Sequence, residues 1–464
     1  MMIGPHTAQR VLEAALANGA DLAELYLEDR ASLNLSLEDS RVEGAVRGAD
    51  RGAGVRAFYG NTAAYAYTDD LELESLLRAA RAAAAAANRG HRQQPVLDLT
   101  RSPSTLDFPV EKPFEVWPER EKSALLHRID AAARGYDPRI VQVSATYSEY
   151  SHRVWVFNSE GRWAEDERNI VEVSINVTAR ANSILQQARA GFGGQMGLEL
   201  FERRDAQAEA REVAESAVKM LNARPAPAGE MTVVMRNGWG GVLFHEACGH
   251  ALEADFINRG TSIFAGRLGQ VVASPLITLL DDATVPARRG SYRFDDDGTP
   301  AQQTVLVERG RLTEYMWDLA EARRAGRRST GNGRRESYRY LPIPRMTNTF
   351  IAAGESDPQE IMRSVDKGLY VARLGGGQAN VAKGDFVFSV TEGYLLEEGV
   401  ITAPVRGATL IGNGLKVLAE IDMVGSDLEL DRGQGRCGKG QWVPVSVGQP
   451  TLRVPRLTVG GTAT

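Results

Sequence analysis

The sequence has few of the residues that would define several protein classes. Only two of its 464 residues are cysteines, Cys248 and Cys437, which excludes a disulfide framework. No apolar stretch approaches the ~20 residues that span a bilayer. The N-terminal residues Met1–His6 lack the basic and apolar regions of a signal peptide. We therefore predict a cytoplasmic protein without a membrane segment.

An excess of one charge is also missing. The chain has 54 lysines and arginines against 60 aspartates and glutamates, for a formal net charge of −6. This near balance argues against bulk binding of nucleic acid and against a polybasic membrane surface. The expected partners are therefore neither nucleic acids nor membranes.

A chain of this length is long for a single core, and two domains are the natural expectation. The Pro-rich joint at 224–229 is the best boundary, giving an N-terminal domain at 1–224 and a C-terminal domain at 230–464. Apolar periodicity in the first domain predicts helices and alternating strands, as in an antiparallel sheet with one covered face. The predicted helices are 7–18, 71–88, 119–134 and 198–221, the strands include 22–28, 33–37, 54–67, 153–158 and 170–179, and 90–117 is a long connection.

The second domain is mostly strand-like, with many glycine turns and short helices. Its predicted strands include 231–236, 271–280, 304–307, 312–316 and 386–396, and its short helices lie near 358–365 and 415–421. The glycines at 375–377 allow either backbone pairing with an extended peptide or a tight turn. The fold class is therefore α+β: an N-terminal α/β domain with an antiparallel sheet and helices, and a C-terminal β-rich domain carrying a histidine-bearing helix.

That helix, over 241–255, contains the pattern H-E-x-x-x-H at His245, Glu246 and His250. Five residues on a regular α-helix place two side chains roughly 140° apart, too far for one metal ion. A one-residue bulge, with N–H groups bonding five residues back, would bring both imidazoles onto one face. Gly249 is where the backbone distorts most cheaply. We therefore predict a helix that is π-bulged or broken between the two histidines.

A catalytic zinc usually has three protein ligands, and no histidine follows His250. Within this domain the third ligand must then be Cys, Asp or Glu. Cys437 lies in a glycine-rich loop whose basic neighbours would lower its pKa, although a lone reduced cysteine is the plainer interpretation. Glu253 and Asp255 are competing oxygen ligands, or carboxylates that orient an imidazole.

Each group also has an ordinary structural interpretation. The two histidines could be hydrogen-bonded core or surface residues, and Glu246 could be a solvated helix residue. Beside a metal, Glu246 would instead be the base that takes a proton from water. Cys248 is best interpreted as a core residue. The Arg- and Tyr-rich stretch 334–348 is the expected source of an oxyanion donor, or else a surface loop with ion pairs.

With these residues assembled, the sequence resembles the TldD/PmbA family of metallopeptidases, in particular its TldD-type catalytic members. The resemblance covers almost all of 230–464 and is weaker before that. The matching segments are GGVLFHEACGH at 240–250, RGTS at 259–262, TGNGRRESY at 330–338, PRMTNT at 344–349, GGGQ at 375–378, GATLIG at 407–412 and GRCGK at 435–439.

The resemblance implies a zinc ion bound by His245, His250 and Cys437, with Glu246 as catalytic base. It also implies cleavage of unfolded or short peptides, and a dimer with a PmbA/TldE-like subunit or with a second copy. Two other functions are compatible with these residues: a peptide-binding or scaffolding subunit of such a complex, and a metal-dependent amide hydrolase that processes modified peptides in a biosynthetic route.

Overall fold

The computed structural model describes residues 3–85 and 95–462 and has a mixed α+β architecture. The N-terminal strands are long and the C-terminal ones mostly short. The α-helices are α1 (Pro5–Leu16), α2 (Leu73–Ala85), α3 (Glu119–Arg134), α4 (Leu200–Arg203), α5 (Ala206–Met220), α6 (Val242–Phe244), α7 (Ala254–Asn258), α8 (Leu319–Ala325), α9 (Pro358–Arg363) and α10 (Gly414–Glu420).

The N-terminal sheet has seven strands in the order β3-β2-β1-β5-β6-β4, with β7 also paired to β6. All of its pairings are antiparallel except the short β4–β6 contact. The predicted antiparallel sheet is therefore confirmed. Its strands are β1 (Leu22–Glu38), β2 (Arg41–Tyr59), β3 (Thr62–Thr68), β4 (Thr100–Arg101), β5 (Ile140–Asn158), β6 (Arg162–Ala181) and β7 (Ile184–Gln195).

Alternation along β1 assigns its two faces to different neighbours. Leu25 and Leu27 lie in a core with α1 and α2, whereas Leu33 and Leu35 lie in a core with α3 and α5. These odd-numbered side chains thus bury one face of the sheet under helices. Burial of such aliphatic side chains contributes roughly 1.5–3 kcal/mol each.

The opposite face of β1 is polar, yet it is also buried. Glu24 pairs with Arg56 on β2 at 2.6 Å and with Arg335 from the C-terminal half at 3.0 Å. The Arg335 guanidinium lies 4.0 Å above the centre of the Tyr26 ring. Glu28 accepts a hydrogen bond from the backbone N–H of Tyr338. This polar face therefore holds the segment at 335–338 against the N-terminal sheet.

The C-terminal half is built from strands, as predicted. Its largest sheet runs β16-β9-β25-β19-β17-β18-β8, and an added β16–β17 pairing closes five of these strands into a ring. A six-stranded sheet follows the order β12-β11-β10-β15-β24-β21, and β13–β14 and β22–β23 form two small hairpin-like pairs.

The C-terminal strands are β8 (Arg224–Pro225), β9 (Gly229–Met235), β10 (Leu279–Asp282), β11 (Gln303–Glu308), β12 (Arg311–Leu312), β13 (Gly333–Arg334), β14 (Ile343–Pro344), β15 (Asn348–Ile351), β16 (Lys367–Ala379), β17 (Asp385–Glu397), β18 (Val400–Arg406), β19 (Thr409–Asn413), β20 (Met423–Val424), β21 (Glu429–Leu430), β22 (Arg436–Gly438), β23 (Trp442–Pro444), β24 (Ser446–Gln449) and β25 (Leu452–Gly460). The glycines at 375–377 lie within β16 rather than in a tight turn.

Several predicted elements have different bounds. The predicted helix 198–221 is two helices, because Asp205 adopts an extended conformation and its side chain caps α5. The predicted strand 271–280 is regular only from Leu279. The predicted strand at 312–316 is limited to Arg311–Leu312. The predicted end of the second helix at Asn88 and the start of the connection at 90 lie outside the described residues.

No helix in the described ranges is both long and apolar enough to cross a membrane.

The buried ion pairs predict a large difference between two arginines of one segment. Arg335→Met removes a cation from buried Glu24, and we expect a loss of about 3–5 kcal/mol of unfolding free energy. Arg339→Ala removes an exposed pair with Asp50 and a stack on the Tyr338 ring, and should cost about 1 kcal/mol. Urea denaturation followed by tryptophan fluorescence measures both changes. Equal losses in the two variants would contradict a supporting role for the buried network.

Candidate metal centre

The two histidines lie at the ends of one π-helical turn. Residues His245–Gly249 form this turn, and the backbone N–H of His250 donates to the carbonyl of His245, five residues back. The predicted bulge is therefore confirmed. Gly249 has ordinary helical angles, φ −56° and ψ −53°. A Cβ there would collide with the sulfur of Met346, so the glycine is needed for space rather than for an unusual conformation.

The helical run ends earlier than the sequence predicted. A 3₁₀ turn covers His250–Leu252, and Glu253 is extended, with φ −76° and ψ 131°, before α7 begins. Glu253 and Asp255 therefore do not continue the helix of the histidines. Because the backbone bends at Glu253, its carboxylate turns back towards His250.

The third donor is a sulfur atom, and it comes from the far end of the chain. Cys437 lies on β22, which pairs with β23 in a short hairpin. Its Sγ is 3.1 Å from Nε2 of His245 and 3.2 Å from Nε2 of His250. The three donor atoms lie within 4.8 Å of one another, and all three residues are buried. The structure thus brings together His245, His250 and Cys437.

This set of donors fits a zinc ion. Tetrahedral zinc with bond lengths of about 2.0–2.3 Å separates its ligand atoms by roughly 3.5 Å, close to the observed spacing. Burial alone would raise the pKa of the Cys437 thiol, but the neighbouring His245 and His250 lower that pKa well below its usual range. This lowering favours the thiolate form, which is the form that binds metals.

Glu253 touches the other side of one imidazole. Its Oε2 lies 3.0 Å from Nδ1 of His250, so Nε2 is the nitrogen that faces the sulfur. Burial would lower the pKa of His250, but the Glu253 carboxylate raises it well above the usual value. A carboxylate in this position orients an imidazole ligand and makes it more basic. The Glu253 carboxylate thus contacts the nitrogen of His250 that faces away from the sulfur.

Lys439 compensates the buried charge of Glu253. Its Nζ donates to Glu253 at 2.8 Å and to Asp255 at 2.9 Å. Burial would raise the pKa of Glu253, but Lys439 and then His250 lower it. In the described residues, Asp255 forms no hydrogen bond or ion pair with His245, His250 or Cys437. Its link to the centre is Lys439. The sequence offered one signal for Lys439: it follows the cysteine by two positions.

Glu246 is the most accessible group of the centre. Its side chain is 32% exposed, and its Oε2 lies 3.8 Å from Nε2 of His250. The carboxylate therefore stands beside the point where the donors meet and also reaches solvent. This is the position that a general base for water requires.

Two arginines of the predicted oxyanion stretch, Arg334 and Arg335, are already engaged. Arg334 donates to the carbonyls of Met346 and Pro444, and Arg335 donates to Glu24. Both side chains are buried. Cys248 is also buried, in the core of the C-terminal half, and burial raises its pKa to about 12. Its sulfur is therefore a protonated core group, in agreement with the interpretation from sequence.

Comparison with family profiles gives three consecutive matches. Residues 23–87 match the "PmbA/TldA metallopeptidase domain 1", residues 112–221 the "central domain" and residues 228–461 the "C-terminal domain". The last match contains all three donors and Glu246.

Full-length relatives are similar over nearly the whole chain. A "Metalloprotease TldD homolog" of Haemophilus influenzae is 42% identical, covering 99% of this chain and 97% of its own. One from Buchnera aphidicola is 39% identical, with 97% and 95% covered. A "Zinc metalloprotease TldD homolog" of Saccharolobus solfataricus is 29% identical, with 74% and 76% covered.

Solved structures share the fold. TldE from Thermococcus kodakarensis has a TM-score of 0.78 at 19% identity, covering 98% of this chain and 100% of its own. A Thermotoga maritima protein has a TM-score of 0.82 at 21% identity, covering 98% and 99%.

The opposite environments of the two cysteines predict different ionisation. In metal-free protein at neutral pH, ultraviolet absorbance should report one thiolate, because the pKa of Cys437 is lowered and that of Cys248 is raised to about 12. Acidification through the lowered pKa of Cys437 should remove this absorbance. Cys437→Ser should abolish it and Cys248→Ser should retain it. A signal that rises only near the ordinary thiol pKa of about 8.5 would contradict the assignment.

Proposed function

The chain belongs to the PmbA/TldD family of metallopeptidases, and we propose that it is a zinc-dependent peptidase acting on unfolded or short peptides. The observation that carries this proposal is the convergence of two imidazoles and a thiolate beside a partly exposed carboxylate. The chemistry belongs to the C-terminal domain that we assign to residues 230–464.

His245, His250 and Cys437 hold the metal in this proposal. Zinc held by these residues would supply a Lewis acid, which would polarise a peptide carbonyl and lower the pKa of a water molecule beside Glu246. Glu246 takes the proton from that water and delivers it to the leaving amine. Glu253 keeps Nε2 of His250 directed at the donor set, by holding Nδ1 on the other side of the ring.

The unpaired edge of strand β16 supports the proposal that the substrate is a peptide. This strand contacts the His245–Gly249 turn, and its segment at 374–379 pairs on one side with β17. On its other side, β9 pairs only with Gly368–Val371, and no further strand of the described ranges continues that pairing. Gly376 and Gly377 are exposed there. An extended peptide can add to this edge by backbone hydrogen bonds, which selects chains that are not folded.

The complete set of His245, Glu246, His250 and Cys437 favours an enzyme over a peptide-binding scaffold. Family membership and the structural similarity to TldE support assembly with a related subunit or with a second copy. Modified peptides from a biosynthetic route also fit this proposal, because the bond cleaved in them would again be an amide. A panel of plain and modified peptides distinguishes these substrates.

Replacing the proposed base tests the mechanism. Glu246→Gln removes the proton acceptor but leaves the three donors intact. We expect peptide cleavage to fall by about 10²–10⁴-fold, while zinc content and the unfolding transition stay unchanged. Retained cleavage at full zinc occupancy would exclude Glu246 as the base.

Serine variants of the two cysteines provide a matched test of the metal ligands. Cys437→Ser replaces the thiolate with a hydroxyl, and we expect loss of bound zinc and of cleavage, since zinc prefers sulfur at such a position. Cys248→Ser changes a neighbouring buried sulfur outside the donor set and should keep zinc. Metal analysis of the purified proteins measures both. Equal zinc content in wild type and Cys437→Ser would refute the proposed ligand set.

A further inference from the structure

Arg345 is a completely buried cation just outside the donor set. Buried guanidinium groups are rare unless they are paired and hydrogen-bonded. Its partners here are unusual, because its hydrogen bonds go to backbone carbonyls rather than to a carboxylate. These hydrogen-bond partners show which parts of the backbone the Arg345 side chain holds in place.

One side of Arg345 holds the cysteine hairpin. Its Nη2 donates to the carbonyl of Cys437 at 2.7 Å, and its Nη1 donates to the carbonyl of Gln441 at 2.8 Å. Cys437 lies within β22, and Gln441 immediately precedes β23, so the two carbonyls flank the turn of the hairpin. The planar fork of a guanidinium can engage both at once, which fixes the position of the Cys437 backbone.

The other side of Arg345 faces the carboxylate that holds the histidine. Its Nε lies 3.7 Å from Oε1 of Glu253, and Oε2 of Glu253 lies 3.0 Å from Nδ1 of His250. Both Nε and Oε1 are buried and have no hydrogen-bond partner among the described residues. Arg345 therefore adds to the attraction that Lys439 and His250 already exert on the Glu253 carboxylate. Arg345 thus lies between the two ligand-bearing segments, which are 187 residues apart in sequence.

We propose that Arg345 is the positioning residue of the metal centre. It joins the Cys437 hairpin to the Glu253–His250 pair, so that the thiolate and the imidazoles converge before a metal binds. Lys439 provides a second connection between the same segments, from the hairpin turn to Glu253. Because the donors are held in place in advance, less ordering accompanies metal binding, and affinity rises accordingly. This positioning role rests on the proposed function only in one respect, namely that His245, His250 and Cys437 bind zinc.

Arg334 is the matched control. It is also buried, and it also donates to two backbone carbonyls, those of Met346 and Pro444, both at 2.6 Å. Pro444 lies on β23 of the cysteine hairpin, so Arg334 also contacts that hairpin. In the described residues, however, it has no hydrogen bond to Cys437, Glu253 or His250 and does not join the hairpin to the histidine segment. An arginine that merely fills space and satisfies carbonyls would behave as Arg334 does. Replacing either arginine should therefore weaken folding similarly, but only Arg345 should affect the metal.

The experiment uses the full-length chain, stripped of metal, with the variants Arg345→Lys, Arg345→Met, Arg334→Lys and Arg334→Met. Zinc affinity is measured by competition with a chromophoric chelator. Cobalt substitution then reports, through the thiolate-to-cobalt absorption band, whether the sulfur ligates. Thermal unfolding of the metal-free proteins measures the structural effect. Lysine keeps the charge but cannot engage both carbonyls in one plane.

We expect Arg345→Lys to lower zinc affinity by about 10–100-fold and to weaken the thiolate band, with a larger loss in Arg345→Met. Both Arg334 variants should keep the affinity and the band. If Arg345→Met does not fold, the lysine pair decides. Wild-type affinity in Arg345→Lys, or an equal loss in Arg334→Lys, would overturn the positioning role alone. A wild-type chain that binds no zinc would overturn this proposal together with the proposed function.

Discussion

The metal centre depends on a single backbone constraint. Two imidazoles five residues apart diverge on a regular α-helix, and they point at one ion here because the helix between them hydrogen-bonds five residues back. In this turn the N–H of His250 donates to the carbonyl of His245. The turn must also fit closely against its surroundings, because Gly249 leaves just enough room for the sulfur of Met346. The bulge is thus a product of both local hydrogen bonding and core packing.

Around this turn, buried charge is managed by direct pairing. Glu253 is completely buried and lies between two cations, Lys439 and Arg345, while it also contacts His250. Unpaired, such a carboxylate would take up a proton and lose its hold on the imidazole. The N-terminal sheet follows the same rule at Glu24, which pairs with two arginines. In both places, ion pairs join segments that are distant in sequence.

Much of the fold could be predicted from local patterns. The alternation of leucines along β1 and the long antiparallel strands follow from side-chain period alone. The burial of the polar face of β1 could not be predicted in this way. Glu24 and Glu28 look like solvent-facing residues in the sequence, and only the packing of the C-terminal half onto that face buries them. The predicted helix at 241–255 is wrong only at its C-terminal end, where Glu253 is extended and its carboxylate contacts His250.

The sequence by itself determined the two histidines, the glutamate between them and the need for a bulge, because these follow from the fixed geometry of a helix. It also limited the third ligand to Cys437 or a nearby carboxylate, since no histidine follows His250. Only the tertiary structure decided between them. The choice depends on where a hairpin almost 190 residues away comes to lie, and no local pattern encodes that distance. The arginine and lysine that hold this hairpin act through space on main-chain carbonyls and one carboxylate, so their roles become visible only when the chain is folded.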